Sequence, residues 1–189
     1  MQSKKKEIEE SIIQEAKSEF LQFGYLNANL RSIAKRCHIT TSNIYRYYES
    51  KALIFEAIVK QVYLETVDVS LVDYQIIDAL IQAKNPSSFL YRVARKYLLT
   101  NTTELLILWN GSQGSVYENY PEKILDIVAE GLVKYSKLNK EKTIFFANLI
   151  LSSVAMVLQK YHNNPKMIDE YLQGVLPTMV QNINNIRSD

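Results

Sequence analysis

Apolar residues recur at intervals of three and four along nearly the whole chain, and no alternating stretch outcompetes that pattern. Ile12, Ala16, Phe20 and Phe23 form one stripe, ended by Gly24. Leu30, Ile33, Ala34 and Cys37 form a shorter second one. Leu53, Ile54, Ala57, Ile58 and Leu64 follow Ser50, whose hydroxyl can cap a helix. Further on, Phe89, Leu90, Val93, Ala94, Tyr97 and Leu98 follow Asn85-Pro86, a helix-start signal. Ile124, Leu125, Val128, Leu132 and Tyr135 follow Pro121. The run from Glu141 to Tyr161 is apolar round most of its circumference, which implies contacts on two sides. The last series spans Ile168 to Ile183, with Pro177 expected to kink it or begin a new turn. The pattern predicts an all-α protein of about nine helices, the first three packed as a small N-terminal unit.

Composition narrows the class. With 47% hydrophobic and 22% charged residues over 189 positions, the chain has the balance of a folded soluble protein. It lacks the roughly 20 uninterrupted apolar residues of a membrane span, and MQSKKKEIEE lacks the apolar core of a secretion signal. A cytoplasmic protein without membrane contact is expected. Cys37 is the single cysteine, so an internal disulfide is excluded, and two scattered histidines give no zinc set. Neither a nucleophile–base pair nor a phosphate loop or cofactor motif is present, so an enzyme is not expected and no cofactor is assigned.

Charge is unevenly placed. Residues 1–60 carry ten Lys and Arg against seven Glu, and between Tyr25 and Lys51 five cations (Arg31, Lys35, Arg36, Arg46 and Lys51) face Glu49 alone. This basic stretch contains CHITTSNIYRYYESK, poor in carboxylates and rich in hydroxyls. It divides into a short helix from Leu30 to Cys37, a turn at Cys37-His38-Ile39, and a second helix capped by Thr40 with Ile44 and Tyr48 facing inward. Two short helices joined by about three residues form a helix-turn-helix. In that motif the N-terminal part of the second helix meets base edges in the major groove. Thr41, Ser42 and Asn43 offer short donors and acceptors, and Arg46 can take guanine or phosphate. Tyr45 and Tyr47 can reach phosphate, sugar or a thymine methyl. Lys51, at the start of the next helix, suits a phosphate. A polar helical hairpin without a ligand would share this composition.

The stretch from Ile12 to Phe55 resembles the N-terminal domain of the tetracycline-repressor (TetR) family of bacterial regulators. The matching residues are Ile12/Ile13, Ala16, Phe20, Gly24-Tyr25, Arg31, Ile33-Ala34, Ile39-Thr40, Ile44-Tyr45, Tyr47-Tyr48, Ser50-Lys51, Leu53 and Phe55, in register without a gap. The resemblance implies DNA contacts at Arg31, Thr40, Thr41, Ser42, Asn43, Tyr45, Arg46, Tyr47 and Lys51. It also implies a helix-turn-helix domain over residues 1–60, followed by a helical effector-binding and dimerisation domain over 61–189. The partners it implies are a double-stranded DNA operator, a small-molecule effector and a second copy of the chain. Three positions depart from the family pattern. His38 stands where the turn usually has Gly, and a left-handed backbone is expected there. Ala28 replaces the usual Thr, leaving Asn27 or Asn29 to cap the second helix. Ser42 stands where the recognition helix usually has Gly.

In the larger domain, the last two long helices hold more apolar surface than one monomer's core needs, and they are the expected dimer face. The segment LLILWNGSQGSVYENYP places two helix-interrupting glycines among Trp109, Tyr117 and Tyr120, the candidate effector contacts. Since this domain shows no clustered charge, a neutral or hydrophobic effector is expected. The leading reading is a ligand-responsive repressor; an activator of the same build and a helical interaction protein without DNA binding are the alternatives.

Overall fold

The computed structural model describes residues 2–67, 94–135 and 138–183. Among the described residues the chain is helical with no strand, as the periodicity predicts. Helix α1 spans Gln2–Asn27, α2 Leu30–Arg36, α3 Thr41–Ile44 and α4 Lys51–Val67. They are followed by α5 (Thr102–Gly111), α6 (Tyr120–Tyr135), α7 (Lys140–Tyr161) and α8 (Pro165–Ile183). Residues 94–100 are also helical. The predicted helix start at Asn85-Pro86, with Phe89, Leu90 and Val93, lies outside the described residues.

Two compact units share the chain: Met1–Leu64 with Thr103–Tyr120, and Glu65–Thr102 with Pro121–Asp189. The core of the first collects Ile12, Ala16 and Phe20 from α1, Ile33 and Ala34 from α2, and Ile44 from α3. Ile54, Phe55, Ile58, Val59 and Val62 come from α4. Two stripes read from spacing are displaced. Phe23 is 45% exposed, and α4 turns residues 54, 55, 58, 59 and 62 inward while Leu53, Ala57 and Leu64 face out. The run LIFEAIV is apolar at six of seven positions, so periodicity alone does not select a face.

Helix α5 belongs to the first unit because it lies along α1 in constant register. Lys17 pairs with Glu104, and two turns further along both helices Gly24 meets Gly111. At that second contact the backbones touch. A Cβ on Gly111 would sit 3.1 Å from the Phe20 carbonyl oxygen and 3.3 Å from the Gly24 Cα, neither of which can swing aside. Gly24 itself kinks α1 at φ 69°, ψ 169°, a conformation that glycine alone adopts cheaply. Gly111→Ala should therefore cost about 1–3 kcal/mol by forcing the helices apart. Gly131→Ala, with open space around the added methyl, should instead gain up to about 1 kcal/mol from helix propensity. Thermal unfolding of both variants checks the contrast.

The second unit pairs α7 with α8. Its buried positions include Thr143, Ala147, Ile150, Val157 and Leu158 on α7, and Ile168, Leu172 and Leu176 on α8. Arg95 grips Asp169 with two parallel hydrogen bonds of 2.5 and 2.6 Å. Helix α8 runs through Pro177.

Candidate nucleic-acid interface

The reader is assembled from α2, a three-residue turn and α3. Asn29 caps α2, its side chain accepting from the Arg31 N–H at 2.9 Å. Of the two asparagines named from the sequence, Asn29 is therefore the cap, and it leaves Arg31 exposed on the first turn. The far end of α2 closes with a left-handed residue. The Ile39 N–H donates to the Ala34 carbonyl at 3.0 Å and the His38 N–H to that of Lys35 at 3.2 Å. This is the paired bonding of a Schellman cap. His38 has φ 55°, the one positive φ at a non-glycine among the described residues. A left-handed conformation costs an L-residue about 1–2 kcal/mol, and glycine's extra chain entropy offsets about 0.5–1 of that. His38→Gly should accordingly raise stability by about 0.5–1 kcal/mol, and His38→Val should lower it; denaturation midpoints measure both.

Thr40 caps α3 as expected, its Oγ1 accepting from the Asn43 N–H at 3.2 Å. The α-helix proper is one turn. The chain then winds through a tighter turn in which the Arg46 N–H donates to the Asn43 carbonyl and the Tyr47 N–H to that of Ile44. Fully buried Ile44 anchors the element. Around it, Thr40, Ser42, Tyr45 and Arg46 are exposed, with Tyr45 at 52%, while Thr41, Asn43 and Tyr47 are half-buried. At the end of the element, burial, and then the carboxylate of hydrogen-bonded Glu9, raises the Tyr48 hydroxyl above its ordinary pKa.

Lys51 has an internal role that spacing did not reveal. Its ammonium donates to the carbonyls of Tyr25 (2.6 Å), Leu26 (3.2 Å) and Ala28 (3.2 Å), and lies 4.7 Å from the Tyr25 ring centre. All three N–H groups close off the turn that follows Gly24. Arg36, counted with the basic stretch, is likewise engaged by Glu15 and Glu19.

Tyr117 and Tyr120 are buried in a ring cluster with Phe55 and Tyr63, at centroid distances of 4.9 to 6.1 Å, and Trp109 is half-buried. A groove of about 580 Å³ lies in the second unit. Asp126, Ala129, Glu130 and Val133 line it from α6, and Lys140, Thr143 and Ile144 from α7. Among the described residues no group of three or more His, Cys, Asp or Glu could hold a metal ion.

A three-helix head whose second and third helices form this motif, continued by further helices, defines a helix-turn-helix DNA-binding protein. Residues 12–58 match the family described as bacterial regulatory proteins, tetR family. The fold is similar to that of NalD, the secondary repressor of the MexAB-OprM multidrug efflux pump in Pseudomonas aeruginosa. The TM-score is 0.56 at 15% identity, covering 98% of this chain and 100% of that one. It is also similar to the fatty acid degradation regulator FadR from Bacillus halodurans, with a TM-score of 0.53 at 15% identity over 95% and 99% of the two chains. None of the curated protein sequences matches the chain significantly.

Proposed function

We propose that the chain is a ligand-responsive repressor that binds its operator as a homodimer and leaves it when a small molecule binds. The observation that carries this reading is the surface of α3: Thr40, Ser42, Tyr45 and Arg46 exposed around a buried Ile44, with no carboxylate among them. Such a surface suits the polyanionic major groove. Arg31, Thr41, Asn43 and Tyr47 complete the contact set, and Lys51 adds charge from behind while holding the end of α1. Residues 1–60 do the reading, and residues 61–189 provide effector binding and dimerisation.

Exposed apolar side chains support a second copy as partner. On α7, Ile144, Phe145, Leu149 and Met156 are 38 to 64% exposed, and Tyr171 on α8 is 41% exposed. Helix α7 is long and apolar enough to cross a membrane by length and composition alone, yet in a helix-turn-helix protein a four-helix contact with the same helices of a partner covers that face naturally. The proposed effector is neutral or largely apolar. Tyr117 and Tyr120 are buried against Phe55 and Tyr63. An effector using them together with Trp109 would displace rings that belong to the DNA-binding unit, and so would act on it directly. The coupling required is about 1–3 kcal/mol, or about 5- to 150-fold in operator affinity.

Sedimentation and anisotropy titration against the DNA upstream of its own gene test the proposal together. A dimer with nanomolar, sequence-selective binding is expected. A monomer, or equally weak binding to every duplex, contradicts it.

A further inference from the structure

Helix α1 turns carboxylates toward the DNA reader, and one of them is buried. Glu19 is 2% exposed, and its two oxygens are divided between the ends of α2. Oε1 accepts from the backbone N–H of Asn29 at 2.9 Å, and Oε2 accepts from Arg36 Nη2 at 2.8 Å. Asn29 precedes α2 and Arg36 is its last residue, so one carboxylate holds both ends of a seven-residue helix. Arg36 is gripped further by Glu15, through Nε to the carboxylate at 2.7 Å and Nη2 to the backbone carbonyl at 3.1 Å. Burial tends to lower the Arg36 pKa, and the hydrogen bonds and charges of Glu19 and Glu15 outweigh it, leaving a net rise.

Stability alone gives no reason for this arrangement. A buried ion pair can often be replaced by apolar residues of similar volume without loss, because desolvation cancels much of its attraction. A charge-assisted, two-ended hydrogen-bond clamp instead fixes direction and register. Helix α2 is too short to hold its own position. Its first end carries Asn29, whose side chain orients the backbone of Arg31; its last leads through His38 into α3.

We propose that Glu19 is a positioning residue for operator recognition, clamping both ends of α2 so that Arg31 and the recognition helix are presented together, and that with Glu15 it holds Arg36 as a strut instead of a phosphate contact. This rests on the DNA-binding reading above.

The test compares two duplexes of equal length, one selected from a random library by the wild-type protein and one of scrambled sequence. Glu19→Leu combined with Arg36→Met removes the pair without leaving a buried charge. Unfolding at or above the wild-type temperature is expected, with scrambled-duplex affinity within about twofold, since the pair is neutral overall, and selected-duplex affinity down about tenfold or more. Glu19→Gln keeps the size and an acceptor for Asn29 but loses the charge. It should fold like the wild type and lose about threefold or more of the selected-to-scrambled ratio. It decides the matter if the double variant fails to fold. Wild-type discrimination in a folded double variant, or in Glu19→Gln, would overturn the proposal and leave the clamp a packing feature. A wild-type protein that selects no duplex would overturn the DNA-reading function itself, a separate outcome visible before any variant is made.

Discussion

An Asn43→Ala or Tyr45→Ala protein is expected to remain folded and dimeric while losing about 30-fold or more of its operator affinity. Each lost base or backbone contact at a specific site costs about 1–3 kcal/mol, and a homodimer loses it in both half-sites. Folding should be spared because neither side chain contributes to the core: Tyr45 is 52% exposed and Asn43 is half-buried beside it. The Asn43 backbone N–H, which Thr40 uses as its capping partner, survives the change. Titration at fixed salt, with circular dichroism and sedimentation as controls, measures the effect. Arg46→Ala should behave differently if it meets phosphate, weakening scrambled and selected duplexes alike and lowering the salt slope by about one per protomer.

The largest stability effect is expected at Phe55. The side chain is 1% exposed and its ring lies edge-on to Phe20 at 4.9 Å and Tyr25 at 5.1 Å, with Tyr117 at 6.1 Å. It joins α1, α4 and the segment after α5 at one point. Truncation to alanine should cost about 3–5 kcal/mol, from lost transfer energy and the cavity left behind. That is a large share of the roughly 5–15 kcal/mol that keeps a domain folded. Leu53→Ala, two residues away and 41% exposed, should change stability by no more than about 0.5 kcal/mol. Denaturation midpoints of the two variants separate a reading based on burial from one based on the apolar run LIFEAIV.

Those two positions also show what local sequence could reveal. Caps were legible because each is set within three or four residues: Thr40 for α3, Asn29 as one of two asparagines for α2, and His38 as the left-handed residue. The helix-turn-helix could be read for the same reason, since its inward Ile44 and its polar surface alternate within a single turn. The facing of α4 could not, because an almost continuous apolar run fits several rotations. Long-range contacts left no local signal. Lys51 looks like a free cation until the carbonyls of Tyr25, Leu26 and Ala28 are seen around it. Glu19 looks like a surface acid until Asn29 and Arg36 meet it, and Gly111 looks like a helix terminator until Gly24 is found against it. Tyr117 and Tyr120, singled out as aromatics beside a broken helix, prove to be packed with rings of the DNA-binding unit.

Selection of duplexes from a fully random library by the wild-type protein tests the central claim most directly. A dimer of this reader should enrich two half-sites related by twofold symmetry, with centres separated by a whole number of helical turns of about 10.5 base pairs. The selected duplex should bind at least about a thousandfold more tightly than scrambled DNA at physiological salt. Enrichment of no motif, or of duplexes whose affinity merely follows salt and length, would contradict the account.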